Sequence, residues 1–151
     1  MIVFVLRHAD RTSEDDLSPA GHIRAQLLAR MLGKTGLSIA YRSDAVRAKL
    51  TLDPLKTALG AGLQVVEIPI IGPNGPDNHV REIVHAIKSH PENKVAVVVS
   101  HSNTVGPIVE GLGGRPGGPI AEDEFDRLFI LATTPAAAID GVEIRFGDPT
   151  P

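Results

Sequence analysis

"KVAVVVSHSNTVGPIVEGLGG", residues 94–114, holds the most strand-like run of the chain, 94–100, and follows it at once with a histidine, a short polar turn and a capped helix predicted over 104–112. A strand that feeds a helix in this way is half of a parallel βαβ unit, and the pattern recurs on both sides. Upstream, residues 2–6 form a continuous β-branched and aliphatic run, the pattern of a strand covered on both faces. "LSPAGHIRAQLLARMLGKTG" (17–36) reads as a helix with Ser18 as its cap and Pro19 in its first turn. Ala20, Ile23, Leu27 and Met31 form its apolar stripe, and Gly33 stops it. "LSIAYRS" (37–43) reads as a strand, and a helix over 45–59 is expected to bend or restart at Pro54. "GLQVVEIPI" supplies a third strand and "IGPNGPDN" a turn-rich loop. A helix over 77–89 should turn Val80, Val84 and Ile87 inward.

Downstream the character changes. "DRLFILATT" and "GVEIRFG" are two strands around a Pro/Ala/Gly connection, which predicts a hairpin or antiparallel edge. Alternating strands and helices that end in such a pair imply an α/β three-layer α/β/α sandwich, its sheet mostly parallel with an antiparallel C-terminal edge. With 151 residues, a single domain over 1–151 is expected, and 42% hydrophobic residues suffice for one core. The Pro-rich tail, 148–151, is expected to fray.

Net charge is −3 with both signs interspersed, so no basic patch suggests nucleic acid and no polybasic segment suggests a membrane. The absence of cysteine excludes disulfides and zinc–thiolate sites. The opening apolar run stops at Arg7, too short for a signal-peptide core or a membrane span, and the plain reading is a soluble cytoplasmic protein.

In open parallel sheets, ligands gather outside the carboxyl ends of strands. His8 follows the first strand with Arg7 beside it, and His101 follows the 94–100 run with Ser102 and Asn103 at a helix start. Arg47, near the beginning of the helix after the second strand, can reach the same edge. Guanidinium forks match phosphate oxygens, a neutral imidazole is a competent nucleophile, and helix N–H groups add donors. Two histidines and two arginines therefore suit the holding and transfer of a phosphoryl group. Taken singly, each histidine reads first as a hydrogen-bonded structural residue, and Arg7 as a surface ion-pair partner.

The same residues carry a resemblance. "LRHAD" resembles the Arg-His-Gly signature of the histidine phosphatase superfamily. "LSPAGHIRAQLLARML" is similar to the first helix of that family, "YRSDAVRAKLTLDPL" to its Ser-x-x-x-Arg segment, and "VVVSHSNTVGPIVEGLGG" to the segment bearing its second histidine. The resemblance implies that His8 is a nucleophile that becomes phosphohistidine, and that Arg7, Arg47 and His101 form the phosphate pocket. It also implies that no metal or other cofactor is needed and that the substrate is a phosphorylated small molecule or phosphoprotein. Ala9 stands where the signature has glycine, and Leu50 where glutamine is usual. For the general acid, Asp77 is favoured over Glu67, with helix capping by Asp77 as the competing role. Arg11 is expected to contact substrate or phosphate, or to pair with Asp10, Asp15 or Asp16.

Other motifs fail. "GAGLQV" precedes a strand where a dinucleotide fold needs it to follow one, and "GLGGRPGG" lacks the Lys-Ser/Thr of a P-loop. His79, His85 and His90 have no ligand spacing and read as solvated. "EDEFD" (122–126) reads as the cap and solubiliser of the next strand. Too few residues separate Arg47 from His101 for a capping insertion, which favours an open-site phosphatase. A phosphate-binding pseudoenzyme and a phosphoglycerate-type mutase are the alternatives.

Overall fold

The computed structural model describes residues 1–90, 94–134 and 138–151, with residues 138–140 described by their backbone alone. In chain order the elements are β1 (Ile2–Arg7), α1 (Pro19–Leu32), β2 (Ile39–Arg42), α2 (Val46–Leu59), β3 (Gln64–Glu67), α3 (Gly75–Lys88), β4 (Val95–Ser100), α4 (Val105–Gly111), β5 (Arg127–Thr133) and β6 (Ala138–Arg145). The sheet runs β3-β2-β4-β1-β5-β6. Pairs β2–β3, β2–β4 and β1–β4 are parallel, whereas β1–β5 and β5–β6 are antiparallel. The expected α/β sandwich with an antiparallel C-terminal edge is the architecture found. The Pro/Ala/Gly connection between β5 and β6 falls at 135–137, outside the described residues.

Successive strand residues point to opposite faces, and the two apolar clusters follow that alternation. Val3, Val5, Ala96 and Val98 pack with Ile83 and Ile87 of α3 and Ile108 of α4. Phe4, Leu6, Val97 and Val99 pack with Leu28 and Leu32 of α1 and Leu52 and Leu55 of α2. Burial on both faces explains why β1 and β4 read as continuous apolar runs.

Three helical expectations need correction. On α1, Ser18 does cap the helix, accepting the Gly21 N–H at 3.2 Å. The buried stripe, however, is Gly21, Arg24, Ala25, Leu28 and Leu32, and Ile23 is 65% exposed. The helix is rotated by a charged residue. Arg24 is buried, donating from Nε to Asp10 Oδ1 at 2.7 Å and from Nη2 to the Asp148 carbonyl at 2.8 Å, with a further bond to the Phe146 carbonyl. A guanidinium satisfied on all sides can occupy a core stripe that a count of apolar residues assigns elsewhere. Gly21 fits the same approach, because a Cβ there would lie 2.0 Å from the Asp10 carbonyl oxygen. On α2, Pro54 sits inside one continuous helix without a restart. On α3, the helix begins two residues earlier than expected, at Gly75, and buries His79, Ile83 and Ile87, with Val80 and Val84 half-buried.

The C-terminal tail is also pinned. Thr150 Oγ1 donates to Asp126 Oδ1 at 2.9 Å and accepts the Phe125 N–H at 3.0 Å. Among the described residues no helix is long and apolar enough to cross a membrane.

Register fixes what happens at the sheet edge. Arg7 lies opposite Ser100, and the His8 N–H donates to the Ser100 carbonyl at 2.9 Å. The residues that follow β1 and β4 therefore emerge side by side.

Candidate active site

At that edge a cleft of about 670 Å³ is lined by Arg7, His8, Arg47 and His101. The four residues come from the ends of β1 and β4 and the first turn of α2, as the sequence predicts. The two imidazoles lie 5.2 Å apart between ring centroids, tilted by 60°.

Hydrogen bonds assign the tautomers. His8 Nδ1 lies 2.8 Å from the Ala9 carbonyl, which only accepts, so Nδ1 carries the proton. Nε2 is then the unprotonated nitrogen, and Arg47 Nε donates to its lone pair at 3.2 Å. Arg47 Nη2 donates to His101 Nδ1 at 3.3 Å, which leaves the His101 proton on Nε2, 2.7 Å from Ser43 Oγ. Both rings present an unprotonated nitrogen to the arginine.

Burial maintains that state. Desolvation lowers the His8 pKa, the Ala9 bond opposes it, and His101, Arg7 and Arg47 press it further down to about 3. His101 is lowered to about 4 by desolvation, then by Arg47, His79 and Arg7, against the opposing charge of Asp15.

A stability prediction follows. Unfolded histidines titrate near 6.5, at about which the native chain still refuses the proton. Between there and the folded values the unfolded state binds more protons, so stability is full above pH 6.5 and falls as pH drops through that window. The urea midpoint should decline from pH 7 to pH 4.5, and the decline should shrink in His8→Asn. A flat midpoint in both proteins would contradict the buried neutral state.

Arg7 is held differently. Its Nη1 donates to the carbonyls of Ala121, Glu122 and Glu124 at 3.0, 2.7 and 3.0 Å, and its guanidinium lies 4.1 Å from the Phe125 ring centroid. Its Nε is buried with no partner among the described residues. Desolvation, then Arg11 and Arg47, lower its pKa to about 10, so it remains cationic at neutral pH. The "EDEFD" segment thus anchors this arginine through its backbone, in addition to pairing Glu124 and Asp126 with Arg145. A desolvated cation at the wall of the cleft is a ready partner for an anion.

Two site residues were given no role from the sequence, although Ser43 is the serine of the matched Ser-x-x-x-Arg segment. Asp15, in the loop after β1, accepts the N–H groups of Val46 and Arg47 at 3.0 Å each and Arg47 Nη1 at 2.8 Å. It caps α2 from outside and fixes the Arg47 fork. Burial pushes its pKa up, but the Arg47 and Val46 bonds outweigh that and hold it at about 2. Ser43, fully buried, joins His101 to the start of α2 by accepting the Ala45 N–H at 3.3 Å.

The remaining expectations divide. Arg11 lines the cleft and donates to the carbonyls of Thr12 and Ser13, and among the described residues it makes no ion pair to Asp10, Asp15 or Asp16. Asp77 is exposed in the first turn of α3 and is absent from the cleft wall. It is not the cap either, because the helix starts before it. Glu67 points to Arg42 Nη1 at 2.8 Å and is likewise outside the cleft. The carboxylates that do line it are Asp15, Asp44 and Glu122. Ala9 and Leu50 pack together with Leu17 and Ala25, so Leu50 has an apolar role.

This mixed sheet and its helices have the fold seen in solved structures of a protein histidine phosphatase and a phosphoglycerate mutase. Among solved structures, the protein histidine phosphatase SixA complexed with tungstate superposes with a TM-score of 0.70 at 21% identity, covering 95% of this chain and 94% of that one. A mycobacterial glucosyl-3-phosphoglycerate phosphatase gives 0.65 at 16% identity over 96% and 97% of the two chains. Phosphoglycerate mutase from Plasmodium falciparum gives 0.62 at 15% over 97% and 89%. No protein-family model and no curated protein sequence matches the chain.

Proposed function

We propose that this protein is a phosphatase that works without a metal through a phosphohistidine on His8, releasing phosphate from phosphomonoesters or phosphorylated proteins. The observation that carries this reading is the Nε2 lone pair of His8, which faces Arg47 in the cleft while Nδ1–H is tied to the Ala9 carbonyl. Nε2 attacks phosphorus, the bond from phosphorus to the leaving oxygen breaks, and its electron pair departs with that oxygen. Arg47 and the Arg7 guanidinium neutralise the phosphoryl oxygens, and His101, taking up a proton from solvent at Nδ1 as the dianion arrives and returning it when phosphate leaves, donates to them. Water then attacks phosphorus, the bond to Nε2 breaks, the lone pair returns to the ring, and a water proton passes to solvent.

The cleft carboxylates bear on the leaving group. Asp15 is committed to Arg47 as an anion, and Asp44 Oδ1 accepts the Ile70 N–H at 2.9 Å. Glu122 has no side-chain hydrogen bond among the described residues and is the carboxyl left to protonate a leaving oxygen. It is exposed, and no hydrogen bond among the described residues fixes its direction. Substrates whose leaving group needs little protonation therefore suit the site best. The test is phosphate release from p-nitrophenyl phosphate and from a simple alkyl phosphate, both in EDTA. Turnover of the aryl ester at least about 100-fold faster is expected. No release from either, with soluble folded protein, overturns the reading.

A further inference from the structure

His79 was expected in solvent and is completely buried, 0% exposed, on the inward face of α3. Its ring bridges the ends of two strands. Nδ1 lies 2.7 Å from the Ile68 carbonyl, just beyond β3, and Nε2 lies 2.8 Å from Ser100 Oγ, the last residue of β4. Since a carbonyl only accepts, Nδ1 holds the proton and Nε2 accepts from the Ser100 hydroxyl. Ser100 Oγ is 2.6 Å from Thr104 Oγ1, which in turn accepts the His101 N–H at 3.0 Å. With the Ser100 proton committed to His79, the 2.6 Å contact takes its proton from the Thr104 hydroxyl, in preference to the His101 carbonyl that lies 3.2 Å from the same oxygen. Every proton in the series is then assigned in one direction: His101 N–H to Thr104, Thr104 to Ser100, Ser100 to His79, and His79 to Ile68.

All four side chains are buried, with Ser100 and Thr104 also at 0% exposure and His101 at 9%. None of the three supporting residues lines the cleft. A fully satisfied polar chain in a low-dielectric core is rigid, and breaking one link strands a buried donor or acceptor. Burial, against the Ile68 bond, lowers the His79 pKa and so favours the neutral ring that this direction requires.

We propose that His79 is a positioning residue for His101, acting through Ser100 and Thr104 to fix the backbone turn from which the His101 ring reaches the cleft. The catalytic consequence rests on the phosphatase reading above. The chain orients His101 from its backbone side while Ser43 orients it from Nε2, so the ring is clamped at both ends and Nδ1 is left facing Arg47. Misplacement of a catalytic group by an ångström is enough to lose about 10²-fold in rate.

Two substitutions separate positioning from simple packing. His79→Asn places its amide near the Nδ1 position, keeping the tie to Ile68 but losing Ser100. His79→Gln reaches the Nε2 position and can accept from Ser100. Both are assayed below their own melting temperatures. The proposal expects kcat to fall about 10- to 100-fold in His79→Asn with KM changed less, and most of the rate to return in His79→Gln. It also expects His79→Asn to cost little more once Ser100→Ala has already cut the chain. A purely structural histidine would rank the two variants by stability alone and give additive effects in the cycle. The second arm is independent of turnover. Long-range ¹H–¹⁵N spectra of the imidazoles in the wild type should show His79 protonated at Nδ1 and His101 at Nε2. The His101 signals should shift or split in His79→Asn and not in His79→Gln. If the wild type shows no phosphatase activity, the functional reading fails while the spectra still decide the role of His79. Equal kcat for the two variants, or unaltered His101 signals in His79→Asn, overturns the proposal.

Discussion

Replacing His8 by alanine is expected to abolish phosphoenzyme formation and to lower kcat for p-nitrophenyl phosphate by about 10³-fold or more. Rapid quench of the wild type with labelled substrate should trap an acid-labile, base-stable adduct, as a phosphorus–nitrogen bond requires. The fold should survive the change. The bonds that join this position to the sheet and to α2 are the His8 N–H to the Ser100 carbonyl at 2.9 Å and the Ala9 N–H to Thr51 Oγ1 at 2.9 Å, and both are backbone donors that alanine keeps. What is lost is the His8 Nε2 lone pair, held in a fixed direction by the Nδ1 tie to the Ala9 carbonyl, since His101 Nδ1, the unprotonated nitrogen of the other ring, is the one assigned to take up a proton. Undiminished labelling in His8→Ala would move the nucleophile elsewhere, with His101 the first place to look.

The legible part of the site is the part that sits on regular structure. His8 and His101 were found because each follows a strand whose apolar run is continuous, and a parallel sheet brings such strand ends together. Arg47 was found because it opens the helix after the neighbouring strand. Asp15 was missed because it lies 32 residues from the arginine it holds, in a loop with six other acidic or hydroxyl residues, and nothing local distinguishes it from Glu14 or Asp16. His79 is a different failure. The positions 79, 83 and 87 share one face of α3, and that spacing was present in the sequence, but a helix begun at Asp77 and read for aliphatic residues turned Val80 and Val84 inward instead. Arg24 misled the reading of α1 in the same manner. In both helices a polar side chain occupies the core stripe because partners far along the chain satisfy it: Ile68 and Ser100 for His79, Asp10 and Asp148 for Arg24. Apolar periodicity cannot register such partners.

The clamp on Arg47 makes its replacement by lysine the second large effect. The guanidinium uses three nitrogens on three groups: Nε on His8, Nη1 on Asp15 and Nη2 on His101. A phosphoryl group arriving between the two histidines meets a fork already oriented by Asp15, so little ordering remains to be done in the transition state. Lysine carries the same charge at one point and can serve one or two of these directions at a time. Arg47→Lys should therefore keep a positive site and lose the bidentate grip, costing on the order of 2–4 kcal/mol of transition-state stabilisation. The loss should fall mainly on kcat, because charge alone still attracts the dianion, and vanadate should weaken more than phosphate. Stability should change little. Asp15 continues to accept the N–H groups of residues 46 and 47, so the start of α2 stays capped, and the side chain at 47 is only half-buried. Steady-state kinetics, inhibition by both oxyanions and a urea titration on the same preparation decide the matter. A kcat/KM within a few-fold of the wild type would remove Arg47 from the transition state and leave Arg7 and Arg11 as the cations of the cleft.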